Sequence, residues 1–258
     1  MGVVNVTPDS FSDGGRFSDP DQAVAHALQL VSDGADIVDI GGEATNPRAE
    51  AVSATEELAR VLPVVEKLVA AGVTVSIDTT KAAVARAAVA AGARYINDVS
   101  GGLFDPDMAA AIGGATYICG HLRGRTLREV FVDESRPVGW TEVAKELRVR
   151  LSELPAGARS RAWVDPGIGF GKGSDPRTNL ELLVRAGDLG RVLGAPVVVG
   201  PSRKRFLHKL FGLTNPTDAE LDEATVRVSL EAVRAGARMV RVHNVALLRT
   251  ALTAYNNK

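Results

Sequence analysis

The chain has 258 residues, a net charge of −1, and 45% hydrophobic against 24% charged residues, a balance that supplies a large core for one or two domains and argues against disorder. The near-zero charge excludes a nucleic acid or membrane surface held by bulk electrostatics. A single cysteine, Cys119, rules out an intrachain disulfide and suits a reducing cytoplasm; no apolar run approaches the length of a membrane span, and no charged-then-apolar leader is present.

The first apolar run, Val3-Val4-Asn5-Val6, reads as a strand that begins almost at once, so a few preceding residues are expected. It runs into Thr7-Pro8-Asp9-Ser10-Phe11-Ser12-Asp13-Gly14-Gly15, a loop long for a strand–helix connection, of the kind that covers a site. Asn5 and the loop aspartates offer hard oxygen ligands that would suit Mg²⁺. Further apolar runs lie near 37–40, 74–78, 94–98, 115–119, 162–165, 196–199 and 239–242. Most are apolar throughout, as strands buried on both faces should be.

Amphipathic stretches separate them, and glycine marks their ends: Gly34-Ala35, Gly72, Gly92-Ala93, Gly114-Ala115, Gly157-Ala158, Gly194-Ala195 and Gly236-Ala237 each precede a strand. Asp19-Pro20, Asp105-Pro106 and Asp175-Pro176 read as an N-cap before a first-turn proline. Ser53 with Glu56, and Thr217 with Glu220, have capping-box spacing. Eight strand–helix units over residues 1–258 predict one domain, an α/β (β/α)8 TIM barrel with a parallel eight-stranded barrel. A doubly wound open sheet is the weaker alternative. The longest irregular stretch is Gly120 to Gly139.

In a barrel of this type the active site lies at the C-terminal strand ends. Here those ends carry Asn5, Asp39, Asp78, Asn97 with Asp98, His121, Asp165, Ser202 to Lys204, and Arg241 with His243. The basic members follow strands seven and eight, where barrels bind phosphate, and suit a di-anion. Asp78, Asn97 and Asp165 form an acceptor-rich side that suits the N–H edge of a planar ring. The implied substrate is heterocyclic at one end and phosphorylated at the other. Asp165-Pro166-Gly167-Ile168-Gly169-Phe170-Gly171-Lys172 is too short for a P-loop, lacks its Ser/Thr, and misplaces the third glycine of a dinucleotide fingerprint.

Together these stretches resemble the dihydropteroate synthases. The motifs are the Asn5-to-Gly15 loop, Asp39-Ile40-Gly41-Gly42-Glu43, Ser76-Ile77-Asp78-Thr79, Ile96-Asn97-Asp98, Asp165 to Lys172, Ser202-Arg203-Lys204 and Arg241-Val242-His243. The resemblance implies a cytoplasmic homodimeric transferase that joins 6-hydroxymethyl-7,8-dihydropterin diphosphate to p-aminobenzoate and releases pyrophosphate with Mg²⁺. It implies that Asp78, Asn97, Asp165 and Lys204 bind the pterin. Asn5, Arg241 and His243 would hold the diphosphate, with Asn5 on the metal, and Phe11, Thr45, Pro47 and Lys204 would frame the aminobenzoate. Asp78, Asp165, Lys204, Arg241 and His243 form the implied catalytic set.

Four positions depart from the family pattern. Asn46 stands where an arginine that binds diphosphate is usual, Gly120 replaces a pocket methionine, Arg205 a serine, and Asn244 an aspartate. Nearby Arg48 is a candidate replacement for the lost charge. Three alternatives stay open on sequence alone: a pterin-binding paralogue with weak or lost turnover, a pterin-dependent methyltransferase, and a Schiff-base aldolase using Lys204. The helical stretch from Leu247 to Leu252 is a candidate dimer contact.

Overall fold

The computed structural model describes residues 1–7, 20–44, 51–130, 137–173 and 175–256. Eight short parallel strands are present: β1 (Gly2–Asn5), β2 (Val38–Gly41), β3 (Val75–Asp78), β4 (Tyr95–Asp98), β5 (Thr116–Gly120), β6 (Trp163–Asp165), β7 (Val198–Val199) and β8 (Met239–Val240). β1 to β6 pair in chain order, and β7 pairs with β8. Two parallel bridges, Val164 with Val197 and Gly2 with Val242, join the two sets. The sheet is therefore closed, and the fold is the expected (β/α)8 barrel rather than an open sheet.

The helices form the outer layer. They are α1 (Pro20–Ser32), α2 (Ala54–Ala70), α3 (Ala82–Ala90), α4 (Met108–Ala111), α5 (Leu127–Val130), α6 (Trp140–Glu153), α7 (Ala156–Arg159), α8 (Pro176–Val184), α9 (Ala186–Leu193), α10 (Phe206–Phe211), α11 (Asp218–Arg234) and α12 (Val245–Asn256). Asp175 caps α8 by accepting from Arg177 N, with Pro176 in the first turn. Thr217 and Glu220 complete a reciprocal capping box on α11. Ser53 accepts from Glu56 N, but Glu56 pairs forward with Arg60 instead of reaching back, so only half of that box forms. Asp105-Pro106 does not start a helix. α4 begins at Met108, and the Asp105 carboxylate instead accepts from Ala82 N at 2.7 Å and Asp107 N at 3.0 Å, tying the loop to α3. Asp19 lies outside the described residues. α5 interrupts the stretch expected to be irregular.

Side chains alternate across each strand, and the alternation divides the core in two. One large cluster, with Val38, Ile40, Ile77, Ile96, Cys119 and Val164, packs between sheet and helices. A smaller one, Met1, Ile37, Ile118 and Val198 with Tyr95, Trp163 and Met239 against it, fills the barrel's lower interior. Two residues further along the same inward-facing columns come Asp39, Asn97, Gly120, Asp165, Gly200 and Arg241. The barrel is thus apolar at its floor and polar at its C-terminal end. Cys119 belongs to the outer cluster, and burial, with Asp98 adding to it against Arg150, pushes its thiol up to about 12.

Candidate active site

Strand register aligns the mouth. Asn5 pairs with Gly41, Gly41 with Asp78, and Asp78 with Asn97, one lateral row across four strands. A side chain at Gly41 would contact both Asp78 and Asn5, so glycine keeps the space between them open. Asn5 is exposed and Asp78 and Asn97 are buried.

Arg241 reaches into this row from the end of β8. Its Nε donates to Asp39 Oδ2 at 2.5 Å and its Nη2 to Asp78 Oδ2 at 2.6 Å. Asn97 Nδ2 donates to the same Asp39 oxygen at 2.9 Å. Burial opposes the arginine's charge, but Asp39 and Asp78 outweigh it and hold the guanidinium firmly protonated. Burial pushes the Asp78 carboxyl up to about 7; Arg241 opposes the rise, and Asp39 adds to it.

Asp165 ends β6 opposite Gly120. Its Oδ1 accepts from Gly167 N at 2.7 Å, turning the chain into the glycine loop. Burial raises its pKa, with Lys204 the main opposing charge. The Lys204 ammonium donates to Ile168 O and lies 4.1 Å from the centre of the Phe170 ring. Burial brings that amine down to about 8, against the pull of Asp165. Gly169 has φ +78°, and a Cβ there would come within 2.8 Å of the Lys204 stem. The glycine lets the loop and the lysine share one wall.

Lys172, at the end of this motif, is 2% exposed. Its amine donates to His121 O at 3.0 Å and Phe170 O at 2.8 Å. It pins the glycine loop to the end of β5, and its burial lowers its pKa well below the usual lysine value. Sequence reasoning quoted this lysine but gave it no task. Its task depends on a carbonyl 51 residues away.

On the basic side, Ser202 Oγ accepts from His243 N at 3.2 Å and lies 2.9 Å from His243 Nδ1. A hydroxyl that accepts the backbone proton can still donate its own to Nδ1, an arrangement that leaves the ring proton on Nε2. Burial, reinforced by Arg241 and Arg203, lowers His243 to about 4. It is therefore a neutral donor and not the cation expected in a basic cluster. Arg203 leaves that cluster altogether. It pairs with Asp222 at 2.7 Å and with Asp218 on α11, so its charge is already compensated.

Two more strand-end residues face away from the mouth. Asp98 accepts from Ser100 N and Oγ, Gly102 N and Tyr117 Oη, which makes it a structural anchor outside the barrel. His121 is fully buried, 3.1 Å from Glu146 on α6, and burial lowers it to about 3. Both alternate with inward residues, Asn97 and Gly120, so strand parity separates them from the site.

Gly120 has no room for a side chain, since a Cβ would sit 2.5 Å from Asp98 O and 2.6 Å from Val99 O. Asn244 donates to Asp222 at 3.1 Å and accepts from Leu247 N at 3.0 Å, starting α12. Arg205 is exposed just before α10. Phe11, Thr45, Asn46, Pro47 and Arg48 lie outside the described residues, as does most of the first loop. The stem of the segment after β2 is described: Glu43 Oε1 accepts from Val52 N at 2.9 Å, and Lys81 bridges Glu43 and the buried Glu57 at 2.6 Å each.

Residues 1–243 match the family model for pterin binding enzymes. The chain is 43% identical to dihydropteroate synthase of Mycobacterium leprae over 95% of its own length and 88% of that protein's. The chain belongs to the dihydropteroate synthase family. It is a transferase of folate synthesis. A Xanthomonas albilineans family member solved with 4-aminobenzoic acid superposes with a TM-score of 0.86 at 40% identity, over 100% of this chain and 91% of that one. The same organism's enzyme with 7,8-dihydropteroate gives 0.83 at 39% identity, over 100% of this chain and 92% of that one. Against a mitochondrial bifunctional folate synthesis protein of Arabidopsis thaliana, 39% identical, the chain spans about half the relative's length, 47%. Among the described residues no helix is long and apolar enough to cross a membrane.

Proposed function

We propose that this chain condenses 6-hydroxymethyl-7,8-dihydropterin diphosphate with p-aminobenzoate, giving 7,8-dihydropteroate and pyrophosphate. The observation that carries it is the meeting in one mouth of the acceptors Asp78, Asn97 and Asp165 with Lys204, Arg241 and a neutral His243. Asp165 Oδ2, its oxygen not engaged by Gly167, accepts from the amino-pyrimidine edge of the pterin. Asn97 and Asp78 complete that floor, and the Lys204 ammonium donates to the ring's acceptor side. Phe11, Thr45 and Pro47 belong to the proposed aminobenzoate side.

Carbon–oxygen cleavage puts positive charge on the pterin methylene and negative charge on the departing diphosphate. Arg241 and the Nε2–H of His243 meet the latter, where preorganised donors act most strongly. The aniline nitrogen forms the new carbon–nitrogen bond and loses one proton. Enclosure holds it near the carbon, and attack on a cationic centre needs no strong base.

Magnesium fits this donor set in one particular way. Among the described residues no group of three His, Cys, Asp or Glu could hold an ion, and Asn5 offers a single hard oxygen at the rim. That suits an ion carried on the diphosphate with most of its waters kept. When bound it would neutralise charge on the leaving group. We further read the chain as a cytoplasmic homodimer, with the half-exposed side of α12 as a contact, which sedimentation at twice 27.1 kDa would test.

The deciding assay is pyrophosphate release from the pterin diphosphate, dependent on p-aminobenzoate. Asp165→Asn should lower kcat/KM by about 10²-fold or more, as expected for loss of a charged acceptor in a closed site. Retained pterin binding without release would reject the synthase reading, and full activity in Asp165→Asn would reject the anchor.

A further inference from the structure

Asp39 lies on β2 in the barrel interior with 0% exposure. Its Oδ2 accepts from Arg241 Nε at 2.5 Å and from Asn97 Nδ2 at 2.9 Å, while Oδ1 has no partner. A carboxylate in such a place is stable only through the donors that face it. The nearest cation, Arg241, sits 202 residues away in sequence, so the pair exists only because the barrel closes.

A guanidinium is a planar fork, and its aim is set by which edges are held. Here Nε is held by Asp39 and Nη2 by Asp78. Asp78 stands in the lateral row at the mouth, where a pterin edge competes for it. Asp39 lies deeper and is closed to solvent, so it keeps its contact when Asp78 is engaged by ligand. The shared Oδ2 also makes Asn97 and Arg241 neighbours on one atom.

We propose that Asp39 is a positioning residue: it aims Arg241 at the substrate's diphosphate and registers that arginine against Asn97 on the pterin side. The inference rests on Arg241 being the diphosphate ligand, as above. It makes an unusual demand on sign. A negative charge beside an anion site should by itself weaken anion binding, so its removal should help. If Asp39 works by aiming Arg241, its removal hurts.

Pyrophosphate, with Mg²⁺ supplied, is the probe; its dissociation constant is measured on the full chain beside that of a dihydropterin lacking the diphosphate. Wild-type binding of pyrophosphate that Arg241→Ala abolishes supports the underlying assignment. Asp39→Asn is then expected to weaken pyrophosphate about 10–100-fold, the scale of a small misplacement of a binding group. The diphosphate-free pterin should bind almost unchanged, because asparagine retains an acceptor for Asn97. Added to Arg241→Ala, Asp39→Asn should have no further effect. Asp39→Glu keeps the charge but moves it by one methylene, and should weaken pyrophosphate in the same direction even where the asparagine variant does not fold. Unchanged or tighter pyrophosphate binding in Asp39→Asn or Asp39→Glu overturns the inference. Pyrophosphate binding that Arg241→Ala leaves intact removes the Arg241 assignment itself.

Discussion

Asp78 and Lys204 carry two ionisations close to neutrality in the mouth. Burial raises Asp78 to about 7, with Arg241 opposing, and burial lowers Lys204 to about 8, with Asp165 opposing. A raised carboxyl loses its charge on the acid side, and a lowered amine loses its charge on the alkaline side. With Asp78 accepting as carboxylate and Lys204 donating as ammonium, kcat/KM for the pterin diphosphate should be bell-shaped, with limbs near those two values. Lys204→Arg keeps a cation over the Phe170 ring and should abolish the alkaline limb. A limb that stays near pH 8 in that variant assigns it to another group.

The glycine loop after β6 is the element whose shape depends most on one atom. Gly167 has φ +72°, and a Cβ there would fall 1.8 Å from His121 O. Gly167→Ala should therefore destabilise the fold by roughly 3 kcal/mol, combining left-handed strain with overpacking. It should also raise the KM for the pterin diphosphate, because Asp165 Oδ1 is tied to this residue's N–H. Thr217→Ala is the contrasting case. It removes the capping box of α11 and should cost about 1 kcal/mol in chemical denaturation, with kinetic constants little changed. The start of α11 was legible because a capping box is four adjacent residues, and the strands were legible from short apolar runs between glycine-marked helix ends. Asp98, His121 and Arg203 were misplaced at the mouth because proximity to a strand end does not give the face. Counting by twos from Asp165's partner Gly120 would have sent His121 outward. Nothing local could have joined Asp39 to Arg241, or shown that acids on α11 already neutralise Arg203.

Across the whole molecule, two imidazoles are held neutral by burial. His121 is lowered to about 3 and His243 to about 4, from an ordinary 6.5. The unfolded chain takes up these protons first as pH falls, so their contribution to stability is complete above about 6.5 and drains away down to about 4 for His243 and about 3 for His121. Urea midpoints measured from pH 7.5 downward should fall across that window, and His243→Gln should flatten the fall. A midpoint flat to pH 4 would mean that both rings charge within the fold.

Cys119 has a practical corollary. The chain's only thiol is buried between sheet and helices and protonated up to about pH 12, so thiol-directed reagents find no nucleophile on the native surface. The unaltered protein is its own blank for site-directed labelling. A cysteine introduced at the exposed Arg205, just before α10, would take up a maleimide dye alone, and the change of its fluorescence with p-aminobenzoate would report on the segment that follows β7.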